Sequence, residues 1–311
     1  MSKKLISVCV PVYNEKENLQ NAYSRITEVM QGIPAYDYEI VFFDDGSTDG
    51  SQQIIEELCV LDAHVKAVFY IRNFGYTKTV FYCIQQAKGD AAVIVHCDLQ
   101  NPPEEIPRLI EKWEQGADIV LGVKNKSKEN KMMYFLRTVG YFLLNLLFGM
   151  HMIPHATEFE LFDKSFIGAL RNIRTQNPYL RGYIFEYGKK IEKVYYTQER
   201  RIFGKSHFSL SKYYDFVIGA IVNKSKCLPR RIIFFTVVCA IIIFLEFLIH
   251  FLPACKEMQN WSVWNGLLLR MGLFLLLLII LLICILFEYV ISVSKDAEQK
   301  PFILEKKRVN Y

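Results

Sequence analysis

The sequence predicts an α/β domain built on a doubly wound sheet, followed by two transmembrane helices. Short apolar runs alternate with amphipathic stretches over the first part of the chain, and two long apolar runs follow near its end. Hydrophobic residues make up 52% of the 311 residues, and the mean hydropathy is +0.15. Because the apolar excess is concentrated between residues 232 and 293, we expect a soluble part followed by a membrane part.

Five runs rich in β-branched and aromatic residues predict the strands of the sheet. They cover residues 5–13, 38–45, 65–71, 91–98 and 117–123. Amphipathic stretches between these runs predict helices at 16–31, 50–61, 76–88 and 104–115. Strands and helices that alternate in this way form a parallel sheet covered on both faces. Ligands of such sheets bind beyond the carboxyl ends of the strands.

The two long apolar runs predict the membrane part. Residues 232–252 and 266–293 each reach the roughly 20 residues that cross a hydrocarbon layer of about 30 Å. A pair of buried helices in a large soluble core is the alternative. Glu246 and Arg270 lie inside the runs, either as functional intramembrane charges or as side chains that snorkel or pack against a partner helix.

Flanking charges predict the orientation in the membrane. Lys and Arg are enriched before the first run and after the second, so both termini are expected in the cytoplasm of an inner-membrane, multi-pass protein. The expected division of the chain is a cytoplasmic domain, an amphipathic juxtamembrane segment, a helix, a short extracytoplasmic loop, a second helix and a basic tail. These parts cover residues 1–208, 209–231, 232–252, 253–265, 266–293 and 294–311. Residues 132–150 predict a further helix, either at the lipid interface or in the domain core.

Composition restricts the function classes. A cytoplasmic domain keeps its cysteines as thiols, and no CxxC spacing indicates a zinc site or a disulfide framework. No signal peptide is expected at the amino terminus. The net charge of +5 favours an anionic membrane surface or phosphorylated substrates over nucleic acid, since no basic-aromatic RNA motif is found.

Polar clusters follow three of the predicted strands. Their sequences are "PVYNEKEN" at 11–18, "DDGSTDGS" at 44–51 and "HCDLQNPPE" at 96–104. Each alone is typical of turns and helix caps. Carboxylates gathered at three neighbouring strand ends repel one another unless a cation or a polar ligand offsets the repulsion. The edge formed by these strand ends is therefore the predicted site.

These motifs carry a resemblance to a known family. Together with "RNFG" at 72–75, "RRIFGKSHF" at 200–208 and two C-terminal spans, they resemble glycosyltransferase family 2 enzymes with a GT-A fold and its mixed sheet. More narrowly, the chain resembles polyprenyl-phosphate glycosyltransferases, the group of dolichyl-phosphate mannose synthases and bactoprenol glucosyltransferases. The resemblance implies transfer of a sugar, with inversion, from a nucleotide diphosphate to a polyprenyl phosphate at the cytoplasmic membrane face. A UDP-sugar is the favoured donor, and cell-surface glycan modification the expected role.

The resemblance also implies site residues. The residues expected to bind the donor nucleotide are Pro11, Tyr13, Glu15, Asp44, Asp45, Arg72, Asn73 and Gly75, with Asp45 at the base and Asp44 supporting its loop. The expected metal ligands are Asp98, Gln100 and His96, and the expected catalytic residues are Asp98, Glu158 and Arg201. The residues expected to bind the acceptor phosphate are Arg137, Arg200, Lys205, Ser206 and His207, with Gly204 in the same loop.

The implied chemistry agrees with the residue types. A divalent cation, Mn²⁺ or Mg²⁺, held by hard oxygen ligands stabilises the charge that gathers on a diphosphate leaving group. Arginine and lysine add charge-assisted hydrogen bonds to phosphate oxygens. A phosphate monoester with a second pKa of about 6 is already an oxyanion at neutral pH, so a dedicated general base is dispensable.

Three positions depart from the family pattern. His96 stands where an aspartate is usual, and three interpretations stay open: a ligand in a site shifted toward manganese, a contact to the donor sugar or phosphate, or a packed strand-end histidine. Glu160 replaces an arginine expected to face the acceptor, and His207 a lysine. Positive charge from Arg137, Arg200, Lys205 or Lys164 is expected to compensate.

The departures also keep other functions open. One alternative is a catalytically silent relative that binds nucleotide or anchors a membrane complex. Another is a transferase with a different lipid acceptor, or a polysaccharide synthase, although the chain lacks the Q-x-x-R-W pattern of processive synthases. The expected partners are a nucleotide sugar, a polyprenyl phosphate and the membrane, and related enzymes can form homo-oligomers.

Overall fold

The computed structural model describes residues 3–126, 153, 156–176, 178–199 and 302–311, with single helical positions at 238, 241 and between 271 and 290. Its centre is a mixed sheet of eight strands. The strands are β1 (Lys4–Val12), β2 (Tyr36–Asp44), β3 (Val65–Tyr70), β4 (Ala91–Ile94), β5 (Ile119–Lys126), β6 (Ala156–Asp163), β7 (Ile191–Thr197) and β8 (Glu305–Val309). The helices are α1 (Lys16–Gln31), α2 (Ser51–Leu61), α3 (Tyr76–Gln86), α4 (Ile106–Glu114), α5 (Lys164–Arg171) and α6 (Leu180–Tyr187).

The strand order is β7-β5-β6-β4-β1-β2-β3-β8. β1 pairs in parallel with β2 and β4, and β2 with β3, so these four strands form the parallel centre. β6 runs antiparallel to β4 and β5, and β8 antiparallel to β3. The antiparallel strands make the sheet mixed, as the GT-A resemblance implies.

Apolar side chains cover both faces of the sheet and form two clusters. One cluster joins alternate strand residues such as Val8 and Val10 to α1, α2 and α4. The other joins Cys9 and its neighbours on the second face to α3, α5 and α6. Strands buried on both faces contain continuous apolar runs, which explains the sequences of β1 and β2.

The five predicted strands and four predicted helices are all present. The fourth strand is shorter than predicted, because β4 ends at Ile94 and His96 lies on the following turn. Cys9, Cys59, Cys83 and Cys97 are buried and are not joined in disulfides among the described residues. The sequence did not predict β6, β7, β8, α5 or α6.

The predicted membrane part lies largely outside the described residues. Within the part of the chain that the structure describes, no helix is both long enough and apolar enough to span a bilayer. The segments 132–150, 209–231 and 253–265 and nearly all of 232–252 are not among the described residues. Their roles stay predictions.

Candidate active site

The carboxyl ends of the four parallel strands meet at one edge of the sheet. Val12, the last residue of β1, is in register with Asp44, the last residue of β2, and β4 lies on the other side of β1. The loops that follow these strands therefore converge, as the sequence predicts.

The first two loops are joined by side chain to backbone hydrogen bonds. Asn14 has a φ of 54°, its N–H donates to Ser47 Oγ at 2.9 Å, and its Oδ1 accepts from Thr48 N at 2.8 Å. The N–H of Glu15 donates to Ser51 Oγ at 3.2 Å. Ser47 and Ser51 thus hold the loop that contains Tyr13, which is 37% exposed, beside the loop after β2.

Asp45 joins the second loop to the third. Its two carboxylate oxygens accept from Phe74 N at 2.6 Å and Gly75 N at 2.9 Å. Burial raises the pKa of Asp45 to about 6, although these two hydrogen bonds oppose the shift. Through these two hydrogen bonds the carboxylate of Asp45, which is only 3% exposed, orders the "RNFG" loop. The sequence did not predict this role.

Gly46 permits a close approach between the same two loops. Its φ is +69°, and a Cβ there would lie 2.6 Å from the backbone carbon of Arg72. A side chain would therefore push the loops apart. The Arg72 guanidinium is exposed and lies 4.5 Å from the centroid of the Phe74 ring.

Asp44 is buried beside Asp45. Its Oδ2 accepts from Ser47 N at 3.1 Å and from Gln52 Nε2 at 2.6 Å, which agrees with the expected support of the loop. Its Oδ1 has no hydrogen-bond partner among the described residues. Burial raises the pKa of Asp44.

The turn after β4 contains the three predicted metal ligands. Leu99 has a φ of 54°, its N–H donates to His96 O at 3.1 Å, and Gln100 N donates to Asp98 Oδ1 at 3.2 Å. His96, Asp98 and Gln100 are half-buried. Among the described residues, no three His, Cys, Asp or Glu side chains form a group that could hold a metal ion. The carboxylate and amide oxygens of Asp98 and Gln100 suit a hard divalent cation, but they supply only part of its coordination shell.

His96 is paired with Tyr76, the first residue of α3. The hydroxyl of Tyr76 lies 3.3 Å from His96 Nε2, and the two rings stack with centroids 5.7 Å apart. The carboxylate of Glu158 interacts with the same hydroxyl. Sequence reasoning missed Tyr76, although an aromatic residue directly after the "RNFG" motif was the available signal.

Glu160 is 1% exposed and lies on the same face of β6 as Phe162, which belongs to the apolar cluster that includes α3. Burial raises its pKa to about 8, while Arg181 opposes the shift and Glu158 adds to it. Its Oε2 has no hydrogen-bond partner among the described residues. A carboxyl group with this pKa is largely protonated, and so neutral, at pH 7.

Lys164 does not compensate for Glu160, and this expectation is wrong. β6 runs antiparallel to β4, so its last residue, Asp163, lies beside Ala91 at the start of β4. Lys164 pairs there with Asp90 at 3.1 Å, at the opposite edge of the sheet from the site. The described cation that acts on Glu160 is Arg181, which donates to Ala156 O at 2.9 Å at the beginning of β6.

The predicted acceptor loop lies outside the described residues. This applies to Arg137, Arg200, Arg201, Gly204, Lys205, Ser206 and His207. The last described residue before the loop is Glu199, whose N–H donates to Gln100 O at 3.0 Å. The chain therefore leaves β7 toward residues 200–207 directly beside the turn after β4.

Comparison with known proteins agrees with this geometry. Residues 7–174, more than half of the chain, match the family model described as "Glycosyl transferase family 2". The chain belongs to glycosyltransferase family 2. The matched region contains all four loops at the carboxyl edge of the sheet.

Several relatives of this glycosyltransferase are themselves named as glycosyltransferases. The chain is 32% identical over 228 residues to the "Prophage bactoprenol glucosyl transferase homolog" of Escherichia coli K12, which covers 73% of this chain and 74% of the relative. It is equally identical, over the same shares, to the "Bactoprenol glucosyl transferase" of Shigella phage SfV. It is 34% identical to the "Uncharacterized glycosyltransferase YkcC" of Bacillus subtilis, over 66% of this chain and 64% of that relative.

Solved structures support the fold of the glycosyltransferase. A crystal structure of glucosyl-3-phosphoglycerate synthase from Mycobacterium tuberculosis with phosphoglyceric acid has a TM-score of 0.53 at 16% identity, and covers 71% of this chain and 80% of that one. The same enzyme with Mn²⁺, UDP and phosphoglyceric acid has a TM-score of 0.51 at 17% identity, over 72% and 79%. At these identities the likeness shows the fold alone, an α/β sheet consistent with the GT-A fold.

Proposed function

We propose that this glycosyltransferase moves a sugar, with inversion, from a nucleotide diphosphate to a polyprenyl phosphate at the cytoplasmic face of the cell membrane. A UDP-sugar is the favoured donor, and modification of a cell-surface glycan is the proposed role. The observation that carries the proposal is the meeting of four loops at the carboxyl edge of the parallel strands, in a chain related to bactoprenol glucosyl transferases.

The donor pocket is supported by the loops after β1, β2 and β3. Asp45 and Gly46 hold the "RNFG" loop against the loop after β2, while Ser47 holds Asn14. Asp45 is assigned to the nucleotide base, and Asp44, whose Oδ2 accepts from Ser47 N, supports its loop. Tyr13 and Arg72, both exposed at the same edge, are suited to stack on the base and to contact phosphate.

The diphosphate is assigned to the turn after β4. Asp98 and Gln100 would hold a divalent cation, Mn²⁺ or Mg²⁺, together with phosphate oxygens of the donor, and the bound cation would stabilise charge on the leaving group. The other roles at this turn belong to side chains of the protein. Asp98 and Gln100 fix the position of the diphosphate, and Tyr76 and His96 border the space next to them.

The acceptor is assigned to the side of the site formed by β6. Its phosphate is already an oxyanion at neutral pH, so no carboxylate needs to remove a proton. Glu158 is then a positioning residue and not a base. Because Glu160 is neutral at pH 7, it adds little repulsion toward an anionic acceptor, and Arg181 adds attraction. A buried glutamate at this position is therefore compatible with a phosphate substrate.

The membrane assignment has two supports in the described residues. Helical positions between 271 and 290 expose large apolar side chains, including Leu281 at 57%, Leu286 at 65% and Phe287 at 66%. Apolar surface of this kind marks a protein or membrane contact. In addition, β1 and β8 belong to one sheet, so any membrane segment between them crosses the bilayer an even number of times. Two crossings with both termini in the cytoplasm satisfy this condition.

A transfer assay tests the proposal. Membranes that contain the full chain are incubated with undecaprenyl phosphate, Mn²⁺ or Mg²⁺, and each of a panel of labelled UDP- and GDP-sugars. We expect one UDP-sugar to label the lipid fraction, and Asp98→Asn to abolish the label. Asp37→Asn, an exposed carboxylate at the far end of β2, is the matched control and should retain activity. The proposal fails if the folded chain labels no lipid while a bactoprenol glucosyl transferase does so in parallel.

A second candidate is a catalytically silent protein that binds nucleotide and anchors a membrane complex. The pairing of His96 with Tyr76 favours it, since His96 Nε2 already has a partner and Asp98 is the one carboxylate on the turn. Titration with UDP in the presence and absence of Mn²⁺ separates the two candidates. A silent protein would bind UDP equally well with and without the metal, and His96→Ala would change nothing.

A further inference from the structure

The last ten residues of the chain form a strap across one side of the domain. We define the C-terminal strap as residues 302–311, which include β8. β8 pairs with β3, with Ala67 opposite Val309 and Tyr70 opposite Glu305. The pairing continues to the end of β3, where Ile71 N donates to Leu304 O at 3.1 Å. The strap therefore bonds the residue directly before Arg72, the first residue of the "RNFG" loop.

The strap also contacts α3, the helix that follows the same loop. The Phe302 ring lies 5.8 Å from that of Phe81, with the two planes nearly perpendicular, and Ile303 is 7% exposed. The hydroxyl of Tyr82 donates to Glu305 Oε1 at 2.5 Å. Aromatic packing and a charge-assisted hydrogen bond thus attach α3 to the strap.

The end of the strap is hydrogen-bonded to α2, to the start of β3 and to the end of α3. Asn310 Nδ2 donates to Cys59 O at 2.6 Å and to Val65 O at 3.0 Å. The Tyr311 hydroxyl donates to Gln86 O, the last residue of α3, at 2.6 Å. The strap therefore contacts β3 along its length and α3 from Phe81 to its last residue.

These contacts hold both ends of the "RNFG" loop. Residues 72–75 connect β3 to α3, and Asp45 holds the middle of the loop through Phe74 N and Gly75 N. Without the strap, β3 would be an edge strand with unpaired N–H and C=O groups. Ile71 would lose its backbone partner, and α3 would lose the packing of Phe302. The geometry of the loop then depends on residues more than 220 positions away in sequence.

We propose that the C-terminal strap is a positioning element of the donor site, which orders residues 72–75 and thereby sets the affinity for the nucleotide. This inference rests on the proposed function in that the loop is taken to bind a nucleotide donor. In this role the strap acts through its contacts with Ile71, Phe81 and Tyr82. Since residues 302–311 lie shortly after the proposed membrane helix at 266–293, attachment of the chain to the membrane and order of the donor loop are linked through the same end of the chain.

The experiment compares the full chain with a chain that ends at residue 301. Hydrogen exchange of the amides of residues 71–76 measures the order of the loop, and titration with UDP measures affinity. We expect faster exchange at 71–76 with unchanged exchange in α1. If the released loop keeps the binding geometry about a tenth of the time, UDP affinity falls about tenfold. A peptide of residues 300–311, added in trans, should restore both values, while a scrambled peptide should not.

Two point variants of the full chain test the same proposal if the shortened chain does not fold. Tyr82→Phe removes the hydroxyl that binds Glu305 and keeps the ring, so loop exchange should rise and UDP affinity should fall by a smaller factor. Tyr195→Phe, the same substitution at an exposed position on β7, is the matched control and should behave as the unmodified chain. A drop in melting temperature without a change in loop exchange or UDP affinity would show a purely structural role and overturn the proposal.

The readouts also separate this inference from the proposed function. Loop exchange is measured without any ligand, so it decides whether the strap orders residues 71–76 even if the full chain binds no UDP. Absence of UDP binding in the full chain would count against the favoured donor. Unchanged exchange in the shortened, folded chain would refute the positioning role alone.

Discussion

The two halves of the candidate site differ in how extensively hydrogen bonds join their loops to one another. Each half keeps one buried carboxylate oxygen without a partner among the described residues, Asp44 Oδ1 and Glu160 Oε2. In the donor half, the loops after β1, β2 and β3 are joined by hydrogen bonds of 2.6–3.2 Å, and Gly46 lets their backbones approach closely. In the other half, Asp98 lies beside a histidine, and Glu160 is a buried acid with an unpaired oxygen among the described residues. We expect the preorganised half to hold the donor and the second half to need ligands to complete it.

The largest effect on turnover is expected from substitution of Asp98, the one carboxylate on the turn after β4 in the second half. Asp98→Asn removes the hard anionic ligand but keeps the size of the side chain, so turnover should fall by about 100-fold or more. Measuring kcat for lipid labelling checks this expectation, with Asp37→Asn as the control. Turnover within a factor of about 3 of the unmodified enzyme would show that both halves work without the Asp98 charge.

The buried acid predicts an unusual dependence of stability on pH. The folded-state pKa of Glu160, about 8, lies above its ordinary value of 4.5, so the folded state binds more protons between these values. Glu160 therefore lowers the free energy of unfolding as the pH rises from about 4.5 to 8. Glu160→Gln should stabilise the protein by on the order of 1–3 kcal/mol at about pH 9 and by almost nothing at about pH 5.

Denaturant unfolding at the two pH values measures this difference. Glu192→Gln, on β7, is a control, since this side chain is not fully buried and should show no comparable pH effect. Equal stabilisation at both pH values would mean that removing the charge of Glu160 is not the cause.

Substitution of Asp45 should weaken the hydrogen bonds that order the "RNFG" loop in the donor half. Asp45→Asn leaves a single acceptor oxygen for Phe74 N and Gly75 N, so the "RNFG" loop should loosen and UDP affinity should fall about tenfold, the value of one charge-assisted hydrogen bond. In the unmodified protein the same hydrogen bonds weaken as Asp45 gains a proton, so UDP affinity should decline as the pH falls through about 6. Calorimetric titration at several pH values checks both points. A UDP affinity that Asp45→Asn leaves unaltered would assign the order of the loop to the C-terminal strap alone.

The smallest effect is expected at His96, on the boundary between the halves. His96→Ala should lower the UDP affinity measured with Mn²⁺ about threefold and leave the affinity without metal unchanged, as expected for loss of one neutral contact. Tyr76→Phe, which removes the hydroxyl next to His96, is the companion variant. If both variants match the unmodified protein in both titrations, His96 is a packed strand-end residue.

The sequence by itself determined the centre of the fold and the location of the site. β1 to β5 and α1 to α4 follow from local hydrophobic patterns, because strands buried on both faces are continuously apolar and their helices are amphipathic. The carboxyl ends of parallel strands meet at one edge, so the order of strands and helices along the chain is enough to place the loops that contain Asp45 and Asp98 together.

Only the tertiary structure decided how these residues interact. Asp45 binds the "RNFG" loop and Tyr76 pairs with His96 because strand order brings together residues about 20 to 30 positions apart. Lys164 is at the opposite edge because β6 runs antiparallel, which no local pattern reveals. β8 has a charged sequence with no strand-like alternation, and its pairing with β3 depends on a contact across more than 230 residues. Local periodicity determines elements, whereas pairing between distant segments depends on the free energy of the whole packed domain.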